Sequence, residues 1–231
     1  MESLTVADLT FEVRRSPRRK TVEITVDRGG ELVLAAPEGV AESVMTDFVE
    51  EKAFWIYTKL AEKAALQHPI KVREYVDGEG FLYLGRSYRL LLVDEQSSPV
   101  KLEAGRFRMR RELAERGRGE MLAWYTSHAR TWLRRRVELW ADRIGVEPAG
   151  VAVRDLGYRW GSCGESRVVN FHWATILLPG SMAEYVVVHE LVHLLEPNHT
   201  PEFWLAVERA LPEFKARKQW LARKGGEYAS L

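Results

Sequence analysis

The run His189-Glu190-Leu191-Val192-His193 sets two imidazoles four residues apart, with a carboxyl beside the first. On a helix, positions i and i+4 share a face and i+1 lies about 100° round, so the three polar groups form one stripe. Their neighbours, Tyr185-Val186-Val187-Val188 and Leu191-Val192 with Leu194-Leu195, are apolar almost all the way round, which predicts a helix buried on most sides. A carboxylate and two imidazoles are costly to bury without partners. A divalent metal resolves the conflict: both imidazoles ligate it, and Glu190 is placed to take a proton from water that the ion activates. Zinc is the expected ion, since it binds imidazole nitrogen and keeps one position open for water in catalytic sites.

A catalytic zinc takes three protein ligands as a rule, and His199 is the candidate for the third. The residue before Pro197 avoids the α region and Asn198 tolerates the left-handed one, so the helix ends there and the backbone can fold back towards the first two histidines. The resulting spacing, H-E-x-x-H-x-x-x-x-x-H, is that of the metzincin histidines. Glu196, however, stands where those proteins have Gly, and no Met follows to make their Met-turn. Glu208 or Glu213 is the rival third ligand, a solvated helix face being the other reading of both. Upstream, Ser181-Met182-Ala183-Glu184 fits a capping box that would start the helix. Downstream, Thr200-Pro201 predicts a further helix with Phe203, Trp204, Val207 and Leu211 as packing residues and Pro212 as its break.

The elements that must hold this site fall into two halves, 1–116 and 117–231. Residues 21–26 alternate apolar and polar, 27–30 read as a turn and 32–36 resume an apolar run, which predicts a hairpin. Val44, Phe48, Ala53, Ile56, Leu60 and Ala64 form a helical stripe that stops before His68-Pro69. Short strands at 80–84, 86–93, 99–103 and 106–109 suggest a meander, and no repeat period is visible. After the charged stretch 110–118, Leu122, Tyr125, Ala129, Leu133, Val137, Trp140 and Ile144 predict a long helix across the core. Residues 151–153 and 167–173 read as strands, the second either as a core strand or as a cleft edge able to pair with an extended peptide. The fold class is therefore α+β: a β-rich N-terminal half with one helix, then a mainly helical half.

Several of these segments resemble, in order along the sequence, the motifs of the YgjP-like metallopeptidases, relatives of the SprT-like zincins. They are Arg159-Trp160-Gly161-Ser162-Cys163, the strand reaching Trp173, Leu177-Leu178-Pro179, the run His189 to His193, and His199-Thr200-Pro201-Glu202-Phe203-Trp204. Arg14-Arg15-Ser16-Pro17-Arg18-Arg19-Lys20 and Trp55-Ile56 resemble that family's N-terminal half. The resemblance implies a zincin-like C-terminal domain, His189, His193 and His199 as zinc ligands, and Glu190 as catalytic acid/base. Asn170, His172 and Arg159 are candidates for touching substrate, although His172 stands where the family pattern would lead one to expect Asn. Cys163 reads as a small buried residue.

Composition narrows the alternatives. Among 231 residues, Lys plus Arg is 34 against Asp plus Glu at 33, so the protein is no polycation built to coat nucleic acid. One cysteine makes no internal disulfide, which suits a reducing compartment. With acids at positions 2 and 8 and no apolar run of membrane-spanning length, neither a signal peptide nor a membrane segment is expected, and the location is read as cytoplasmic. The expected activity is zinc-dependent hydrolysis of a polypeptide. Two alternatives stay open: hydrolysis of a nucleotide phosphoanhydride, disfavoured by the lack of a Gly-rich phosphate loop, and a nucleic-acid-associated module using the basic runs 14–20 and 134–136.

Overall fold

Period-two burial builds the first of two compact units, Met1–His68 and Pro69–Leu231. The computed structural model describes residues 2–26, 31–66, 73–157, 159–229 and 231; the expected turn at 27–30 and the expected helix stop at His68-Pro69 lie outside them. In the first unit β1 (Glu2–Val6), β2 (Leu9–Ser16), β3 (Glu23–Val26) and β4 (Leu32–Pro37) form a sheet in the order β1-β2-β4-β3. The expected hairpin is present, with Val26 opposite Leu32, and β1 with β2 adds a second hairpin. Helix α1 (Glu42–Leu66) lays Met45, Val49 and Ile56 on Phe11, Leu34 and Ala36. The buried face departs from the expected stripe in the first turns, where Val44 is exposed and Met45 and Val49 are inside, and rejoins it at Ile56. Much of the basic run is engaged locally, Arg14 with Glu12, Arg15 with Glu2 and Arg19 with Glu23.

In the second unit β5 (Gly80–Tyr83), β6 (Arg86–Val93), β7 (Val100–Glu103) and β8 (Arg106–Arg110) take the order β5-β6-β8-β7. This corrects the expected meander, because β6 and β8 pair in parallel and join two hairpins. Both four-stranded sheets share one strand order and each precedes a long helix, a structural repeat that has no period in the residues. The turns Leu84-Gly85 and Ala104-Gly105 have positive φ at both positions, as tight hairpins of this twist require.

A 3-10 turn (Arg111–Arg116) runs directly into α2 (Gly117–Ile144), which ends at Gly145 with a φ of 78°. Along α2, Met121, Tyr125, Ala129, Leu133, Val137 and Trp140 are buried. They share one core with Phe81, Leu90, Phe107 and Met109 of the sheet. That shared core is why the protein divides at His68/Pro69 and not near residue 117: the charged stretch leads into a helix and separates nothing.

Next come β9 (Gly150–Arg154), β10 (Gly161–Cys163) and β11 (Val168–His172), in the order β10-β11-β9. Strand β11 is therefore the middle strand, antiparallel to β10 and parallel to β9, and the cleft-edge reading of 167–173 is corrected. A 3-10 turn (Trp173–Leu177) leads to α3 (Gly180–Val192), α4 (Pro201–Ala210) and α5 (Phe214–Lys224). The architecture is mixed α+β. Among the described residues, no helix is long and apolar enough to cross a membrane.

One contact ties the β5–β8 sheet to the entrance of α3. The amides of Leu84 and Gly85 donate to the carbonyls of Ile176 and Leu177 at 2.8 and 3.0 Å. A Cβ on Gly85 would stand 2.8 Å from Pro179 Cα, on top of its φ of 79°. Gly85→Ala should therefore cost about 2–4 kcal/mol of unfolding free energy, combining left-handed strain with overpacking. Gly105→Ala, with φ of 74° but open space around it, should lose only about 1–2 kcal/mol. Urea denaturation of the two variants checks the difference.

Candidate metal centre

Helix α3 carries the HExxH stripe through the core, with Val186, Val187, Val188, Leu191 and Val192 buried around it. Its start differs from expectation. The helix opens at Gly180, the carbonyl of Pro179 accepts from the amides of Met182 and Ala183 at 2.8 and 3.0 Å, and no side-chain group caps it. Glu184 does not reach back to form a capping box, because it pairs with Arg136 of α2 at 3.3 Å. The end is also earlier than expected: His193 is the C-cap, and the amides of Leu195 and Glu196 both turn in on Val192 O, at 2.9 and 3.0 Å. His193 keeps helical dihedrals, so the i, i+4 relation with His189 survives.

That tight turn brings His199 back onto the helix. Its Nε2 lies 3.0 Å from His189 Nε2, and single ligand atoms of His189, His193 and His199 all fall within 4.8 Å of one another. Two imidazole lone pairs repel at such a distance unless a proton or a cation lies between them. Two zinc–nitrogen bonds of about 2.0–2.1 Å meeting tetrahedrally would hold their nitrogens roughly 3.3 Å apart, close to the spacing seen.

The protonation pattern fits the same purpose. His193 Nδ1 faces Glu196 O at 3.2 Å; a carbonyl only accepts, so Nδ1 holds the proton and Nε2 presents its lone pair. His189 Nδ1 is buried with no hydrogen-bond partner among the described residues. Burial, with the neighbouring His193, His199 and Lys218 charges, pulls the His189 imidazole down to about 3, so it stays neutral and able to ligate. His193 is lowered as well, chiefly by burial. The three residues can hold a divalent metal.

Glu190 is 6% exposed, and burial pushes its carboxyl up to about 8, with Arg159 acting in the opposite direction. Room for it comes from β10. A Cβ on Gly161 would lie 2.6 Å from Glu190 Cγ and 2.7 Å from Oε1, so any larger residue there would displace the carboxyl. Cys163 on the same strand is half-buried, and burial plus the Glu190 charge push its thiol up, which suits an inert side chain.

Asn170 is buried and accepts from Arg154 while its amide donates to Ser162 O and Val168 O at 3.2 and 3.1 Å, so its polar atoms serve the β9-β11-β10 sheet. His172 is also buried; its Nδ1 accepts from the Ala174 amide at 3.2 Å and its Nε2 faces Asp155 at 3.3 Å. Both side chains are engaged by partners within the fold, and of the three substrate candidates only Arg159 is exposed. Glu208 pairs with Lys215 and Glu213 with Arg217, so neither rival carboxylate joins the histidines.

Two residues read from the sequence only as packing turn out to form the walls. Thr200 caps α4 by accepting from the Phe203 amide at 3.3 Å, with Pro201 in the first turn as expected. The Phe203 ring then lies 4.6–5.0 Å from all three imidazoles, and Trp204 stacks on His199 at 5.5 Å and 18°. Their place directly after His199 on a capped helix was the available signal.

A mixed α+β protein that gathers three imidazoles beside a buried carboxyl has the residues of a metal-dependent enzyme. The description "YgjP-like, metallopeptidase domain" matches residues 20–224, and the chain belongs to the YgjP-like metallopeptidase family. Among curated proteins, none matches. Of solved structures, the metallopeptidase zymogen abylysin of Pyrococcus abyssi is similar at 24% identity and a TM-score of 0.36, over 38% of this chain and 89% of that one.

The site predicts a selective loss of metal. His189→Ala, His193→Ala and His199→Ala should each drop the bound divalent metal from about one per protein molecule to well below half, measured by plasma emission after dialysis. Glu208→Gln and Glu213→Gln should leave it unchanged.

Proposed function

We propose that this protein is a zinc-dependent metallopeptidase in which His189, His193 and His199 hold the ion and Glu190 is the proton-transfer group. The observation that carries this reading is the convergence of the His189 and His199 Nε2 atoms at 3.0 Å next to a buried carboxyl for which Gly161 makes room. Membership of a metallopeptidase family supports a polypeptide as the substrate. The C-terminal unit is then read as zincin-like, with the HExxH helix packed beside a short edge strand.

Zinc bound at these imidazoles would supply the Lewis acid that polarises the scissile carbonyl and acidifies the attacking water, and its charge would favour the ionised form of Glu190. Glu190 accepts a proton from that water as the oxygen attacks the peptide carbon. It then delivers the proton to the leaving nitrogen, so the same carboxyl acts first as base and then as acid. Gly161 keeps the carboxyl in place, Phe203 fixes the rotation of the three rings, and the His193–Glu196 hydrogen bond keeps the reactive tautomer. Strand β10 is an edge of its sheet beside this helix, which makes it the strand that offers backbone groups to an extended peptide.

Glu190→Gln should retain about one zinc per protein molecule and lose about 10²–10⁴-fold in kcat on an unfolded protein substrate, the usual span for removing a general base. Gly161→Ala should also keep the metal while kcat falls, since the added methyl displaces the carboxyl. Parental turnover by Glu190→Gln would overturn the assignment.

A further inference from the structure

We propose that Lys218, held on the face of Trp204 at the rim of the three histidines, receives a carboxylate of the peptide substrate and so gives the enzyme a preference for acidic side chains or free peptide ends near the cleaved bond. This inference rests on the peptidase reading above and narrows its substrate.

Helix α5 carries five cations. Lys215 is paired with Glu208, Arg217 with Glu213 and Lys224 with Glu227, at 3.2, 2.8 and 3.0 Å. Lys218 and Arg223 have no carboxylate partner among the described residues, and Lys218 is the one that sits against an aromatic wall of the site. Its Nζ lies 3.7 Å from the centre of the Trp204 ring, the ring that stacks on His199. Trp204 is itself fixed from a third side, stacked on Phe214 at 5.7 Å and 15°. The ammonium is thus positioned by a clamped indole.

Its charge is felt at His189, whose protonation it disfavours, and partial desolvation lowers its own pKa from the ordinary lysine value. A π face attracts an ammonium but gives it no counter-ion, and the Lys N–H groups remain able to donate to an oxygen. A cation partly removed from water gains more from an anionic partner than one in bulk solvent does. A second cation, Arg159, acts on Glu190. A polypeptide offers carboxylates of two origins, Asp or Glu side chains and the terminal α-carboxylate, and both share the chemistry that Lys218 recognises.

The test reads binding without turnover. Metal-loaded Glu190→Gln protein is titrated calorimetrically with peptides of one sequence: an internal Asp, the same peptide with Asn, a free C-terminus and the same peptide amidated. At least one carboxylate peptide should bind about tenfold more tightly than its amide counterpart, and which pair shows it tells the side-chain carboxylate from the terminal one. A metal ion attracts carboxylates by itself, so the deciding comparison is the double variant with Lys218→Met. There the ratio should fall to between one and two, while Lys218→Arg preserves it. Lys218→Gln is the substitute if the Met variant does not fold and hold one metal per protein molecule. Equal binding of acid and amide peptides, or a ratio that survives removal of the Lys218 charge, overturns the proposal. Failure of the parent to cleave any of these peptides would instead count against the peptidase reading, and the binding ratio would still decide the role of Lys218.

Discussion

Everything at this site depends on the burial of a polar stripe in an apolar helix. Helix α3 is rich in buried valine and leucine, yet it carries an imidazole and a carboxyl into the core: His189 Nδ1 has no partner among the described residues, and burial drives Glu190 towards its neutral form. Such a stripe persists only if something compensates for it. The turn Leu194–Glu196 and the capped start of α4 supply the means, by folding His199 back to within 3.0 Å of His189. Three imidazoles converging on one point are a donor set for a borderline-soft divalent cation, with His189 and His193 partly buried and His199 closing the group from the exposed side.

The remaining elements of the second unit keep that helix in place. The Leu84-Gly85 turn grips the backbone at Ile176 and Leu177, just before α3, so the β5–β8 sheet contributes to the site without carrying any of its reactive groups. Strand β10 approaches so closely that only glycine fits against Glu190. Below, Phe203 touches all three rings, and Trp204 links His199 to the charged face of α5. Backbone approach and aromatic packing thus take over the positioning that hydrogen bonds perform elsewhere.

Local patterns were largely legible in the residues, and long-range pairings were not. The HExxH stripe, the Thr200-Pro201 cap, the α2 stripe and most strand limits follow from spacing and punctuation alone. The His193 to His199 return could be anticipated because Pro197 and Asn198 mark it. Strand order could not: β6 beside β8, and β11 in the middle of its sheet, depend on which edges meet in three dimensions. The capping box failed for a similar reason, since Arg136 of α2 lies far from Glu184 in sequence and draws it away. A charged stretch reads as a linker until an apolar residue within it, Leu113, is seen to join the core of the helix that follows, and the compact units divide at His68/Pro69 instead. Lys218 was silent because nothing in a basic helix distinguishes a paired lysine from an unpaired one.

X-ray absorption at the metal edge of zinc-loaded protein tests the account most directly. It should show three imidazole nitrogens and one light-atom ligand at about 2.0–2.1 Å, with one nitrogen scatterer lost in His199→Ala. A first shell with fewer than three histidines, or one unchanged by His199→Ala, would contradict the convergence on which the site is built.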